Sequence, residues 1–225
     1  GRSFRGLELS TQIDYKEGIA LACEHLGLTY MSIPDYPNTK KYLEKALYLQ
    51  EFIGDKFGIA EAMESISVYY LYQNDNKKAL ELLNKSLLLS EELNVKQSIA
   101  SALTNLGAVY ENLGDYPKSL SHFENSIKIL EELNDLRGLY YAYRRMSYTY
   151  EKVGEYKKAL ESYRQFKNIY DSVYTDIRAQ TIYGLESKIE STQKDYELRK
   201  LALQNESTKK VQIYLFASLI MACIV

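Results

Sequence analysis

The apolar positions of the chain follow a pattern that returns every 40 residues. Four times, an apolar residue and a small residue are followed by a tyrosine; the sets are Leu26-Gly27 with Tyr30, Ile66-Ser67 with Tyr70, Leu106-Gly107 with Tyr110, and Met146-Ser147 with Tyr150. Turn residues come next, and a second apolar stretch then carries Leu43, Leu83, Phe123 and Tyr163 at the same step. Each unit is therefore predicted to form a helix, a short turn and a second helix.

A small residue in the first helix of a unit lets the second helix pack closely across it. Gly27 and Gly107 predict such close packing, whereas Ser67 and Ser147 predict slightly wider packing. A single helix pair cannot bury its own apolar face, so neighbouring pairs must stack. The prediction is an all-α solenoid of four units, at residues 14–53, 54–93, 94–133 and 134–173.

These recurring residues resemble the tetratricopeptide repeat. The signature of that family is a Leu-Gly pair and a tyrosine three residues later in the first helix, followed by a small residue and an aromatic residue in the second helix. The resemblance covers residues 14–173 and implies a right-handed superhelix. The period is longer than the usual ~34 residues of this family. The resemblance implies a structural role for the signature positions, which are Gly27, Tyr30, Tyr70, Gly107, Tyr110, Tyr150 and Ala159.

Residues 1–13 precede the first complete unit. A shift of 40 residues places Leu47 on Leu7 and Ile53 on Ile13, which favours the second helix of an earlier repeat. A helix that caps the array without a preceding repeat is the alternative, since solenoid ends are usually capped.

Residues 174–210 predict one long helix that links the repeats to the C-terminal run at 211–225, because they contain no proline and a single glycine, Gly184. Apolar or nearly apolar residues lie mostly three or four positions apart, at Ile182, Leu185, Ile189, Thr192, Tyr196 and Leu203. This spacing is compatible with a two-stranded coiled coil and hence with a homodimer. A single amphipathic helix fits it equally well.

Residues 211–225 read VQIYLFASLIMACIV and carry no charge. A helix that spans a membrane needs ~20 apolar residues, so this run predicts the first part of a transmembrane helix. A buried capping helix is the alternative. Lys209 and Lys210 lie directly before the run and favour a cytoplasmic repeat array by the positive-inside rule.

The charges and the polar residues narrow the classes of function. The net charge is −2 with both signs intermixed, which disfavours nucleic acid as a partner. His25 and His122 fall in different repeats, without other ligands at metal spacing. The sequence shows no phosphate loop, nucleophile motif or paired catalytic carboxylates, so no enzyme activity, metal or cofactor is predicted.

In the tetratricopeptide family, the first helices form a concave groove that binds polypeptide segments. The positions that correspond to this groove are Tyr72 in the second unit, Thr104, Glu111 and Asn112 in the third, and Tyr141, Arg144, Tyr148 and Lys152 in the fourth. Tyrosine offers a broad contact area and arginine can hold a carboxylate, so a protein or peptide segment is the predicted ligand. Ordinary surface residues are the alternative, because the chain holds 22 tyrosines.

One group of tetratricopeptide proteins grips the carboxylate at the C-terminus of chaperones with Lys, Asn and Arg. Asn105 and Arg145 match two of those positions. Glu64, Val68 and Tyr141 stand where the remaining residues of that clamp belong. The sequence therefore disfavours a chaperone-tail clamp.

The order of repeats, long helix and membrane span resembles the sensor regions of Bacteroidetes-type signalling proteins. In these, a periplasmic repeat array precedes a membrane helix and a cytoplasmic histidine kinase or helix-turn-helix output domain. The resemblance implies a single-pass, membrane-anchored sensor with a periplasmic array, although the two lysines leave the cytoplasmic side open. A membrane-anchored scaffold without an output domain is the alternative, and a soluble peptide-responsive regulator is a third hypothesis.

Overall fold

The computed structural model describes the backbone of residues 2–13 and 15–224, and the side chains of that range except those of residues 2, 173, 174, 176–186, 188, 189, 207, 208 and 210–224. Over these residues the chain is entirely helical apart from short turns. The helices are α1 (Arg2–Gln12), α2 (Lys16–Ser32), α3 (Tyr36–Ile53), α4 (Lys56–Tyr72), α5 (Asn76–Glu92), α6 (Lys96–Asn112), α7 (Tyr116–Glu132), α8 (Leu136–Lys152) and α9 (Tyr156–Ile224).

The local sequence explains where these helices begin and end. The carboxylates of Asp35, Asp75 and Asp115 each accept a hydrogen bond from the backbone N–H three residues later, at 3.2, 3.2 and 3.3 Å. Such side chains satisfy N–H groups that the first turn of a helix leaves without a partner. Left-handed residues, among them Gly114 and Asn134, follow the helix ends and stop the helices. Helix starts from α2 to α9 consequently lie 20 residues apart, so one helix pair takes 40.

Residues 1–170 form one compact unit, an all-α helical-repeat solenoid in which each helix packs on its neighbours in sequence. Gly107 lies against Phe123, and Gly27 lies against Leu43, because the absent side chain gives room for the facing helix. In the last helix pair, the Ser147 hydroxyl donates to the carbonyl of Ala159 at 2.9 Å. The predicted all-α repeat solenoid is confirmed for this unit.

The signature tyrosines hold the helix pairs together. Tyr30 stacks on Tyr42 with 5.5 Å between ring centroids, and Tyr110 stacks on His122 at 5.2 Å. The Tyr150 hydroxyl donates to Glu124 at 3.0 Å, and burial raises the pKa of this tyrosine to about 12. Tyr70 lies next to the ammonium of Lys78, 4.9 Å from its ring centroid. Tyr30, Tyr70 and Tyr110 thus contact the second helix of their own unit. Tyr150 bonds to the second helix of the preceding unit and lies near Lys158 on the second helix of its own, 5.5 Å from the ring centroid.

Residues 171–225 form a second unit, which continues helix α9. Among the described residues, no helix is long and apolar enough to cross a membrane. The predicted transmembrane run, residues 211–225, lies outside the described side chains. Three of the predicted coiled-coil positions also lie outside the described side chains: Ile182, Leu185 and Ile189. Tyr196 and Leu203 are described and are exposed. The coiled coil and the homodimer therefore stay predictions.

Candidate functional site

A groove of about 660 Å³ runs across the first helices of three successive pairs, α4, α6 and α8. The α4 wall is apolar and aromatic, with Val68, Leu71 and Tyr72. The floor on α6 is polar, and the α8 wall carries tyrosine and arginine. The same face of each first helix meets the groove because the pairs repeat with a constant step.

Five of the eight residues predicted to bind a ligand line this groove. They are Tyr72, Thr104, Asn112, Tyr141 and Arg144. Tyr72 is 66% exposed and Tyr141 is 49% exposed, so both rings are available for contact. The Thr104 hydroxyl is instead occupied within the solenoid, since it donates to the Ala100 carbonyl at 3.0 Å and bonds the Ser126 hydroxyl.

The other three predicted residues lie outside the lining of the groove. Glu111 is buried, and its carboxylate accepts from Arg145 Nη1 at 3.1 Å and from Thr149 Oγ1 at 3.0 Å. Burial raises the pKa of Glu111, and the nearby Arg145 opposes that rise. This carboxylate joins α6 to α8 and does not face a ligand. Tyr148 and Lys152 lie further along α8, where the ammonium approaches the ring to 4.8 Å from its centroid.

Three arginines of α8 line the groove, and one of them, Arg145, is paired with Glu111. The Arg144 guanidinium lies 5.8 Å from the ring centroids of both Tyr140 and Tyr141, a distance suited to cation–π attraction. Arg137 also lines the groove, and the sequence interpretation missed it because it stands in the first turn of α8. These contacts hold one cationic group in place beside an exposed aromatic ring.

An acidic depression of about 190 Å³ continues the groove toward α2 and shares Gln97 and Ser101 with it. It is lined by Glu24, Glu61 and Glu64. Burial raises the pKa of Glu64 to about 7, helped by the two other carboxylates and opposed by hydrogen bonds. Burial and the neighbouring Glu24 also raise the pKa of Glu61. Proximity of three carboxylates makes this end of the groove strongly electronegative whenever they are ionised.

The two residues that match the chaperone-tail clamp are occupied by carboxylates of the chain itself. Asn105 Nδ2 donates to Glu64 Oε1 at 3.0 Å, and Ser101 donates to the same oxygen. Arg145 is paired with Glu111. Sequence reasoning missed these links. The available signal was a carboxylate and a donor about one repeat apart on successive first helices.

Within the described residues, no group of three or more His, Cys, Asp or Glu side chains is arranged to hold a metal ion. The candidate site is therefore defined by aromatic, amide and guanidinium groups. Such groups bind by contact, hydrogen bonding and charge.

This geometry is that of an all-α helical-repeat solenoid, similar to tetratricopeptide repeats. Residues 98–172 match the tetratricopeptide repeat family model, which covers the third and fourth helix pairs. No curated protein matches the sequence.

Solved structures with the same fold include three of particular interest. BtubC from P. vanneervenii is 17% identical with a TM-score of 0.61, over 71% of this chain and 66% of that one. Aspartyl phosphate phosphatase F from Bacillus subtilis is 16% identical with a TM-score of 0.62, over 76% and 49%. A Rap protein complexed with competence and sporulation factor is 23% identical with a TM-score of 0.59, over 70% and 43%. The chain thus spans between 43% and 66% of the length of these proteins, and the likeness concerns the fold.

Proposed function

We propose that the solenoid binds a segment of another protein, or a peptide, in the groove formed by α4, α6 and α8. The observation that carries this proposal is the presence of exposed Tyr72 and Tyr141 on facing walls of one open groove, with Arg144 beside them. Large exposed aromatic side chains lose little conformational entropy on binding and are enriched in interfaces. Enzyme activity is not part of the proposal.

The comparisons support the proposal at the level of the fold. The Rap protein, which shares the fold, was solved in complex with competence and sporulation factor. Specificity comes from the side chains that line a site, and the fold alone does not determine it. The ligand of this chain must therefore be sought by experiment.

The test is a selection of random 12-residue peptides, displayed on phage, against the purified chain. Binding of the selected peptides is then measured by fluorescence anisotropy for a groove variant with Tyr72→Ala, Tyr141→Ala and Arg144→Ala, three residues that line the groove. A matched control variant changes Tyr48, Lys128 and Tyr156, which are exposed on second helices, to alanine. We expect the groove variant to lose binding with unchanged helical content. Equal loss in both variants, or in neither, would remove the groove assignment.

The finer proposal is that the chain is the sensor region of a single-pass, membrane-anchored signalling protein, with a periplasmic repeat array. It is supported by the uncharged run 211–225 and by helix α9, which continues from the last repeat into the second unit. Binding in the groove would then shift or rotate this helix and bias an output domain. A membrane-anchored scaffold without an output domain is the alternative.

Reading the coding sequence past Val225 separates these two proposals. A completed apolar run followed by a kinase-type helical pair or a helix-turn-helix supports the sensor. A stop codon after a short basic tail supports the scaffold. Protease digestion of intact cells and of spheroplasts would show on which side of the membrane the repeat array lies. Removal of the outer cell envelope exposes a periplasmic array to the protease, whereas a cytoplasmic array stays protected in spheroplasts.

A further inference from the structure

The charge of the groove changes from one end to the other. This change is seen at two sets of equivalent positions in the four units. The positions that correspond to Arg144 in the earlier units are Glu24, Glu64 and Thr104. The positions that correspond to Arg137 are Glu17, Phe57 and Gln97. At both sets of positions, the residue is glutamate in the first unit and arginine in the fourth. Equivalent positions lie in a row along a solenoid, so the charge changes sign along it.

The chain neutralises only part of the positive charge at the cationic end of the groove. Arg145 is paired with Glu111, and the Asp135 carboxylate accepts hydrogen bonds from Gln97 and from the backbone N–H groups of residues 137 and 138. Within the described part of the chain, the guanidinium groups of Arg137 and Arg144 form no ion pair with a carboxylate. Asp135 also lines the groove and attracts Arg137, so Arg144 is the less neutralised of the two cations that can bind an anionic group.

The spacing of these arginines sets the length of a matching ligand. Arg137 and Arg144 are seven residues apart on α8, which is about 10 Å along the helix axis. An extended chain covers about 3.3 Å per residue. Successive side chains of an extended segment point to opposite faces, so acidic residues two or four positions apart, about 7 or 13 Å, share one face and can reach the two guanidinium groups.

The remaining walls select the rest of the ligand. Opposite α8, the α4 wall presents Val68, Leu71 and Tyr72, which favour an apolar side chain. At the far end, Glu24 and Glu61 repel further carboxylates, and Glu64 adds to this repulsion once it is ionised above about pH 7. The groove thus distinguishes its two ends by charge.

We propose that the groove binds an extended acidic segment of a partner protein, with side-chain carboxylates against Arg137 and Arg144 and an apolar side chain against Tyr72. This inference rests on the proposed function of the groove. The acidic side chains lie at the α8 end, and the part of the segment that reaches α2 carries no acidic residue. Arg144, held over two tyrosine rings, makes the stronger contact because less ordering is needed on binding.

The experiment uses the peptides selected from the displayed library. These peptides are fused to the coat protein at their C-terminus, so only side-chain carboxylates are available. Synthetic versions with an amidated C-terminus are then titrated into the chain and into the variants Arg144→Gln and Arg137→Gln. Arg164→Gln is the matched control, because Arg164 is exposed on α9 and does not line the groove.

We expect the selected peptides to be enriched in Asp and Glu beside apolar residues. Each groove variant should weaken binding by about ten- to a hundredfold, whereas the control leaves it unchanged. Replacing Glu by Gln in the peptide should have the same effect on the unmodified chain and little further effect on the Arg144→Gln variant.

Two outcomes would overturn the inference, and they differ in what they say of the groove. Selected peptides without acidic enrichment, which bind normally to both arginine variants but weakly to Tyr72→Ala and Tyr141→Ala, would refute the acidic ligand and leave the groove function intact. A selection that yields no binder, or binders insensitive to all four substitutions, would contradict the proposed function as well.

Discussion

The close approach of α6 and α7 gives the sharpest test of the packing. A Cβ atom at Gly107 would lie 2.5, 2.6 and 2.9 Å from three ring atoms of Phe123. The Phe123 side chain is fully buried, so its ring has little room to move away. Gly107→Ala should therefore overpack the third unit.

The magnitude follows from two opposing effects. Alanine in a helix interior gains about 0.5–1 kcal/mol over glycine, and overpacking a core costs about 1–3 kcal/mol. We expect a net loss of about 1–2 kcal/mol in the free energy of unfolding, measured by urea denaturation with circular dichroism at 222 nm. Gly6 in α1 is the matched control, because an added Cβ there meets nothing within 4 Å. Gly6→Ala should be neutral or stabilising.

A second substitution tests whether the contact with the Phe123 ring causes this loss of stability. The second unit carries Ser67 and Leu83, both fully buried, at the positions that correspond to Gly107 and Phe123. A smaller side chain at position 123 should therefore relieve the overpacking. The loss in the double variant, with Phe123→Leu, should be smaller than the sum of the two single losses by at least about 0.5 kcal/mol. Strict additivity, or a Gly107→Ala chain as stable as the Gly6→Ala chain, would refute the reasoning.

Three other predictions concern single side chains. Because the pKa of Glu64 is raised in the folded chain, the folded chain keeps a proton between about pH 4.5 and 7 that the unfolded chain has released. Stability is therefore greatest below this pH window and falls as the pH rises through it. In the Glu64→Gln variant, the free energy of unfolding should fall by up to about 3 kcal/mol less between pH 5 and 8 than it does in the unmodified chain. An equal fall in both chains would contradict the raised pKa of Glu64. Arg145→Ala should cost about 1–3 kcal/mol in urea denaturation, because it leaves the buried Glu111 carboxylate with one side-chain donor, Thr149, and an undiminished stability would show that the pair is not needed. Ser126→Ala removes a buried hydroxyl that donates to the Ala100 carbonyl at 2.7 Å and should cost about 1 kcal/mol, whereas a stabilising effect in the same assay would argue against this hydrogen bond.

Much of the solenoid could be predicted from the sequence because a repeat shows the same physical requirement several times. Gly27 and Gly107 predict close helix packing from the sequence, and both lie against a large side chain of the facing helix. The 40-residue step also predicted two helices in each unit, and Asp75 and Asp115 cap the second helices of two units at equivalent positions.

The site was less predictable because contacts between units depend on side-chain rotamers and on the way the pairs stack. Glu111 occupies a groove position in the repeat, yet its carboxylate turns to Arg145 and Thr149 and leaves the surface. Glu64 accepts from Asn105 on the next first helix in the same manner. A repeat pattern indicates which residues are neighbours, but it does not indicate which of them form pairs.

The most direct test of the central claim is to map where a selected peptide contacts the solenoid. Benzoylphenylalanine is placed at Tyr72, Tyr141, Tyr48 or Tyr156, and adducts with the bound peptide are detected by mass spectrometry after illumination. The account predicts adducts from positions 72 and 141, which line the groove, and none from positions 48 and 156 on second helices. Adducts confined to positions 48 and 156 would place the binding surface elsewhere and contradict the account.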